Sequence, residues 1–542
     1  MQTGTANSDV RWRRFEHPVF FWFGAAACTT GVILHLPMYY SARSMGYRMV
    51  GMHPDAAMIV GMALIGVGLI AALYGLLPSQ SRRIEERAAG ISVRALDDAR
   101  IRPQHVLLLA VISVAIVIDA MKPAALSFVA PGMAKEYGLK AATNPHGHLP
   151  VSLLPLFGIG GTVLGSWLWG WLGDRIGRRS SLLYAGLLFV TTSICGAMPG
   201  FSWNLLMCFL MGIGVGGMLP ITFTLLAETI PARHRGWLLV LVGGGAAGLG
   251  YVLTSWLAGA LTPHYSWRIL WLIGLPTGVL FIALNHWIPE SPRFLLAAGR
   301  RDEAEKVMRH FGAEVVTEDQ APSRQGSESG GFRQIFSRPF IGPSSAIIVL
   351  AVGLGLITYG FQLWIPTNLQ HLGYTAVSSD YIVRNAAAIG LIPVLLAAAA
   401  YGFWSSKKTI FASFGLLGLA LVGFVIAGNS LAHHHGLLTT LLVIPLAGTS
   451  LLGAIAMVYA AEVYPTRIRS RGAGIAAGAT KLGGVLIIAL VVAATTTPSI
   501  ALTATIGVIP VVIGLLIFGW AGRETRNRRL EEITEAEQAL VR

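Results

Sequence analysis

Ala227-Glu228-Thr229-Ile230-Pro231-Ala232-Arg233-His234-Arg235 returns 234 residues later as Ala461-Glu462-Val463-Tyr464-Pro465-Thr466-Arg467-Ile468-Arg469. Both copies read A-E-x-x-P-x-R-x-R, and both close an apolar run long enough to cross a bilayer, for which about 20 residues suffice. One copy alone is a weak signal. Two copies at matching helix ends indicate an internally repeated membrane domain, a design that places the working site between the repeats near mid-membrane.

Outward from these two stretches, fourteen apolar runs follow one another: about 18–40, 56–78, 105–131, 151–172, 181–199, 204–228, 237–261, 267–288, 340–364, 381–403, 409–429, 437–460, 472–494 and 500–520. The chain has 542 residues, 54% hydrophobic and 12% charged. A soluble protein carries roughly 25% charge. The expected fold class is therefore an all-α membrane protein, with a 12-helix core in two six-helix halves and two N-terminal transmembrane helices before it. Residues 1–104 read as a two-span module with an Arg-rich linker and 105–288 as the N-terminal half. Residues 289–339 form the loop between halves, 340–520 the C-terminal half and 521–542 a tail. Within that loop Gly299–Gly312 has a helical pattern of mixed charge, as does Leu530–Arg542 in the tail, while 320–331 has the composition of a flexible linker.

The net charge of +14 invites a nucleic-acid reading, but its placement argues against one. Thirty-two of the 40 Lys/Arg fall in segments on one side of the membrane, four within runs, and four on the other side: Arg43, Arg48, Lys135 and Lys140. This bias predicts a multi-pass cell-membrane protein with both termini in the cytoplasm. Arg11, Arg13 and Arg14 ahead of Ala25-Ala26-Ala27-Cys28 mimic a signal peptide, yet the run continues to Tyr40, which predicts a retained span. Cys28, Cys195 and Cys208 lie inside runs and read as small core residues. His146/His148 and His433-His434-His435 lie in predicted loops without acidic or cysteine partners, so no metal is expected. No nucleophile motif, phosphate loop or dinucleotide fingerprint occurs, so neither an enzyme nor a cofactor is expected.

The chemistry concentrates where charge meets apolar sequence. Asp119 and Lys122 sit one helical turn apart in the third run, with Pro123 directly behind. Ionisable groups at this depth are costly and usually functional. Pro123 has no N–H, which leaves the carbonyl of residue 119 without its helix partner. Lys481 lies at similar depth in the thirteenth run, and Arg384 about one turn inside the tenth. Two deep lysines against one acid point to a bound organic anion that relieves the uncompensated charge. Lys122, Arg384 and Lys481 are thus candidate substrate-binding residues and Asp119 a candidate proton-coupling group. Tyr359, Gln362, Trp364 and Asn368 in the ninth run have the polar and aromatic character of a cavity lining. Other readings stand beside these. Asp119 and Lys122 neutralise each other, Lys481 is an amine buried uncharged, Arg384 snorkels to the surface, or Trp364 belongs to an aromatic belt.

Gly170-Trp-Leu-Gly-Asp174-Arg175-Ile-Gly177-Arg178-Arg179 closes the second core run. It resembles the signature loop of the major facilitator superfamily. Pro289-Glu290-Ser291-Pro292-Arg293-Phe294-Leu295 after the sixth core run is similar to a motif of that superfamily's sugar-porter and metabolite:proton symporter branch. So is Glu524-Thr525-Arg526 followed by Leu530-Glu531-Glu532-Ile533, although Arg523 replaces a proline there and Asn527 a glycine. The resemblance implies a secondary transporter working by alternating access. It also implies a cytoplasmic charge network of Asp174, Arg175, Arg178, Glu228, Arg293, Glu462 and Arg467 that latches the halves, with Gly170, Gly177, Arg179, Arg233, Arg235 and Glu290 in the same motifs. Two departures count against a full match. Gly402-Phe-Trp-Ser405-Ser406-Lys407-Lys408, the second-half copy of the signature, lacks the Asp, and Cys208 stands where the superfamily often has arginine. The fifth core run has no G-P-x-x-G-G, which argues against the drug-antiporter branch. The expected function is proton-coupled transport of a small organic anion, a carboxylate, by a monomer whose partners are that substrate, protons and the bilayer. A sugar or polyol porter, or a membrane sensor that keeps the fold without turnover, are the alternatives.

Overall fold

The computed structural model describes residues 16–78, 96, 99–141, 144–313, 335–338, 340–464, 469–494 and 499–525. Each of the fourteen apolar runs is one helix of membrane length: α1 Pro18–Met45, α2 Ala56–Leu76, α3 Pro103–Tyr137, α4 Leu153–Ile176, α5 Arg178–Ala197, α6 Phe201–Thr229, α7 Arg233–Tyr265, α8 Ile269–Trp287, α9 Ile341–His371, α10 Ala376–Phe403, α11 Ser406–Ala427, α12 His435–Val463, α13 Gly474–Ala494 and α14 Ile500–Ala521. Several helices run beyond their apolar stretch. The end residues explain this. Thr375 caps α10 by accepting from Ser378, and Gly138 at φ +63 ends α3 after a polar last turn. Arg467, residues 79–95 of the first linker, residues 320–331 and the tail beyond Thr525 lie outside the described residues. The helix expected between Gly299 and Gly312 spans Arg301–His310, and Phe311 after it packs its ring 5.0 Å from that of His105 at the start of α3.

Helices α3–α8 form one half of the core and α9–α14 the other. The α1–α2 hairpin lies against α5 of the first half. Its two helices touch backbone to backbone. A Cβ at Gly24 would come 2.4 Å from the Gly68 carbonyl, and one at Gly31 would come 2.6 Å from that of Gly61. Tyr184 of α5 donates its hydroxyl to the Leu69 carbonyl at 3.2 Å and so ties the hairpin down. At the end of the bundle away from Asp174, the far end, the end of α1 and the loop after it fold over the core. Tyr39 donates to the Tyr265 carbonyl at 2.7 Å, and the Met49 N–H to Glu136 Oε1 at 2.8 Å.

Helices α6, α7 and α9 lose regular winding along their length. α6 pauses at Gly216 and Gly217, α7 has a π turn over Leu241–Ala246, and α9 has a π turn over Ile357–Phe361 followed by a 3-10 turn over Gln362–Trp364. Irregular backbone at membrane depth is tolerated where protein partners satisfy it, and it collects at functional sites.

Candidate functional site

The repeat is visible first at the end carrying the Asp174 loop, the motif end. Arg178 pairs with Asp174 at 2.9 Å, reaches Glu228 at 3.9 Å and donates to the Gly173 carbonyl at 2.9 Å. Glu290 Oε1 accepts the backbone N–H groups of Arg178 and Arg179 at 2.8 and 3.2 Å, so it caps α5. Burial pushes the Glu290 carboxyl above its usual range, and the N–H groups of Ser291 and Arg179 pull it back. Ser291 donates its hydroxyl to Glu228.

The second half repeats this at the same interval. Glu524 accepts the Ser406 N–H at 3.0 Å and the hydroxyls of Ser405 and Ser406, and so caps α11. Thr525 donates to Glu462 at 2.7 Å, as does Tyr401. The pairs Glu228/Glu462, Glu290/Glu524 and Ser291/Thr525 are each 234 residues apart. The second-half loop without its Asp therefore keeps the arrangement and substitutes hydroxyl donors for Arg178. The remaining motif residues surround this frame. Arg175 lies over the Trp171 ring at 4.2 Å, Arg179 donates to Asn285 at 3.3 Å, and Arg235 donates to the Ile230 carbonyl at 3.1 Å. Arg293 is half-buried, Arg233 is exposed, and Gly170 faces open space.

The halves meet at the motif end across α7. A Cβ at Gly236 would come 2.6 Å from Glu462 Oε1, and Arg235 stands within electrostatic reach of the same carboxylate. The Trp237 and Phe403 rings lie 5.7 Å apart, with Gly402 beneath Trp237. Contacts form at the far end as well. The last turns of α9 pack on α3, and Tyr381 of α10 fills the space beside Gly259 of α7. The halves thus touch at both ends.

Asp119 lies at the midpoint of α3, 3% exposed, and its Oδ1 has no hydrogen-bond partner. Lys122 is 2% exposed and its ammonium is also unpartnered. The two do not neutralise each other, although i, i+3 spacing permits it. Lys122 turns to the aromatic faces of Phe189 and Trp271, 4.7 and 5.7 Å from its Nζ, and presses against Gly274. All three belong to α5 and α8, so the structure leaves Lys122 inside the first half and away from the seam between halves.

Lys481 does the opposite. It crosses from α13 into the first half and donates to the carbonyls of Thr162 and Gly216 at 3.3 and 3.2 Å. Gly216 would bond to the N–H of residue 220, which is proline, so its carbonyl is left free in the helix and takes Lys481 and the Ser166 hydroxyl instead. Arg384 is turned to the exposed Asn385, with its Nη2 2.7 Å from Oδ1, and lies over Tyr381. The three cations expected to share a substrate are therefore not brought together.

A different group of polar side chains does converge. Tyr251 of α7 faces Ser127 of α3 and Gln362 of α9 without completing a hydrogen bond, and Asp380 of α10 is within electrostatic reach. Gln362 Oε1, Trp364 Nε1, Thr367 Oγ1 and Asn368 Nδ2 are buried and unpartnered on the segment of α9 that packs against α3 and α10. Buried polar groups are nearly always satisfied, so such a cluster calls for a ligand or water. Tyr359 is half-buried beside Gly484 of α13. Sequence reasoning missed Tyr251, Ser127, Thr367 and Asp380. Asp380 was counted as loop because its helix was expected to begin at 381. Arg268, one of the four Lys/Arg counted within runs, is fully buried and paired with Glu136 at 2.7 Å.

Residues 107–488 match the family described as Major Facilitator Superfamily. The chain belongs to that superfamily. It is a membrane transporter rather than an enzyme, and the match begins after α1 and α2, which precede the twelve-helix core. The niacin transporter NiaP of Acinetobacter baylyi is 28% identical over 460 residues, 81% of this chain and 99% of that one. The 4-hydroxybenzoate transporter PcaK of Pseudomonas putida is 30% identical over 380 residues, 68% and 81% of the two chains. Among solved structures, a partially occluded inward open conformation of the xylose transporter XylE from E. coli superimposes with a TM-score of 0.64 at 18% identity, covering 79% of this chain and 100% of that one. At that identity the likeness speaks for the fold alone.

Proposed function

We propose that this facilitator carries a small aromatic or heteroaromatic carboxylate together with protons by alternating access, with both termini in the cytoplasm. The observation that carries this reading is the buried cluster of unpartnered hydrogen-bonding groups between α3, α7, α9 and α10. Trp364 Nε1, Asn368 Nδ2 and the Tyr251 hydroxyl are donors that suit a carboxylate, and the Phe128 and Tyr251 rings, 5.7 Å apart, offer an aromatic wall. The names of the relatives, for niacin and 4-hydroxybenzoate, fit the same chemistry. Asp119 serves as the proton-coupling group because it is buried at mid-helix and Lys122, one turn on, turns away from it. Lys481 links the halves at the level of the site. The Glu228–Glu290 and Glu462–Glu524 frames hold the motif end while the halves rock. The Lys/Arg bias supports the orientation, and one chain supplies both halves, which fits a monomer.

Uptake into proteoliposomes with an acidic exterior tests the reading, using labelled nicotinate, 4-hydroxybenzoate and xylose. Accumulation of an aromatic acid that collapses when the pH gradient is dissipated is the expected result. Xylose accumulation, or no accumulation of any acid, would overturn it. Sugar transport would favour the porter alternative.

A further inference from the structure

Only four Lys/Arg fall on the far side of the membrane in the sequence, and three of them line one cavity of about 880 Å³. Arg43 comes from the last turn of α1, Arg48 from the loop after it and Lys135 from the end of α3; the end of α7 closes the third side. All three side chains are exposed, and none is in an ion pair among the described residues. The one acid in the lining, Glu136, is already spent. Its Oε1 accepts Arg268 at 2.7 Å and the Met49 N–H at 2.8 Å, and its Oε2 accepts the Trp267 indole N–H at 2.8 Å. Three uncompensated cations therefore share a concave site.

Backbone strain marks the same place. Among the described residues only Tyr47 and Ser266 are non-glycine residues with left-handed φ, +61° and +64°, and both line this cavity. Strain of this kind persists where the surroundings over-determine it, and it collects at binding sites. The surroundings here include Tyr39, whose hydroxyl bond to the Tyr265 carbonyl fixes the residue before Ser266.

We propose that the α1–α2 module builds, with the first half of the core, a peripheral site for an oxyanion, a carboxylate or phosphate group. The site is remote from the Asp119 region and does not depend on what the central site carries. The group comes either from a soluble acid or from the headgroup of an anionic phospholipid. The lone positive charges on a face otherwise depleted of them give the attraction, and the loop after α1 gives the shape.

The test uses the full chain and the variant Arg43→Gln/Arg48→Gln/Lys135→Gln, whose substituted side chains are solvent-exposed. Native mass spectrometry after exchange into phosphatidylglycerol measures retained lipid. Calorimetric titration with benzoate and with inorganic phosphate, in neutral phosphatidylcholine nanodiscs, measures soluble anions. A tenfold loss of retained phosphatidylglycerol in the variant assigns the headgroup. A tenfold loss of affinity for benzoate or phosphate assigns a soluble oxyanion. Equal behaviour of the variant and the parent towards all three probes overturns the proposal, as does a parent that binds none. Tyr47→Gly, which keeps every charge, checks that the binding loss follows charge and not a collapsed loop.

Discussion

Lys481 and Gly216 are joined across the seam between the halves, ammonium to carbonyl at 3.2 Å, and the carbonyl is one that Pro220 withholds from its own helix. A charge-assisted bond of this kind contributes about 1.5–3 kcal/mol. Alternating access must break it or re-form it on each cycle. Lys481→Met should therefore weight the open forms by roughly tenfold or more. Spin labels at the exposed motif-end positions Arg233→Cys and Lys408→Cys would then report a second, longer distance. A distance distribution identical to that of the parent would remove Lys481 from the switching mechanism.

Asp119→Asn keeps the size of the buried side chain and removes its proton chemistry. The variant should lose accumulation driven by a pH gradient yet keep exchange of labelled for unlabelled substrate across the membrane. Retained gradient-driven accumulation would assign coupling elsewhere, with Asp380, a buried acid within electrostatic reach of Tyr251, as the next residue to change.

Gly177 adopts φ +94°, and a Cβ there would come 2.3 Å from Glu290 Oε2. Gly177→Ala should cost about 1–3 kcal/mol from backbone strain alone, read as a lower Tm, and should loosen the cap on α5. Glu290→Gln tests the carboxylate itself. Because burial raises the Glu290 carboxyl, the folded state holds its proton to higher pH than the unfolded chain. The stability it contributes is full below the ordinary glutamate value of about 4.3 and declines as pH rises through the raised folded value. The Tm of Glu290→Gln relative to the parent should thus climb with pH over that window. A constant difference would show that the group stays ionised throughout.

Much of this was legible in the sequence because it depends on composition and interval. Fourteen runs gave fourteen helices, since length and apolarity alone decide a span. The interval between Glu228 and Glu462 carried to Glu290/Glu524 and Ser291/Thr525, although the accompanying charges had turned into hydroxyls. The site was less legible, for specific reasons. Asp380 and Glu136 belong to helices whose polar end turns fall outside any hydropathy run. The spacing of Asp119 and Lys122 allowed a pair, and only the rings of Phe189 and Trp271 decide against it. The partner of Lys481 is a backbone carbonyl 265 residues away, released by a proline that no local pattern connects to it.

Ser266 offers the sharpest separation of stability from function. Its φ and ψ of 64° and 167° fall in a region essentially reserved for glycine. Ser266→Gly relieves strain of about 1–3 kcal/mol and loses part of it to the greater freedom of glycine in the unfolded chain, for a net gain near 1 kcal/mol. Ser266→Ala keeps the strain and should gain nothing. If the strained turn pre-shapes the basic cavity, Ser266→Gly will raise Tm while weakening the anion retained by Arg43, Arg48 and Lys135. A rise in Tm with unchanged anion binding would show that the strain serves only to dock the end of α1, through Tyr39, onto the end of α7.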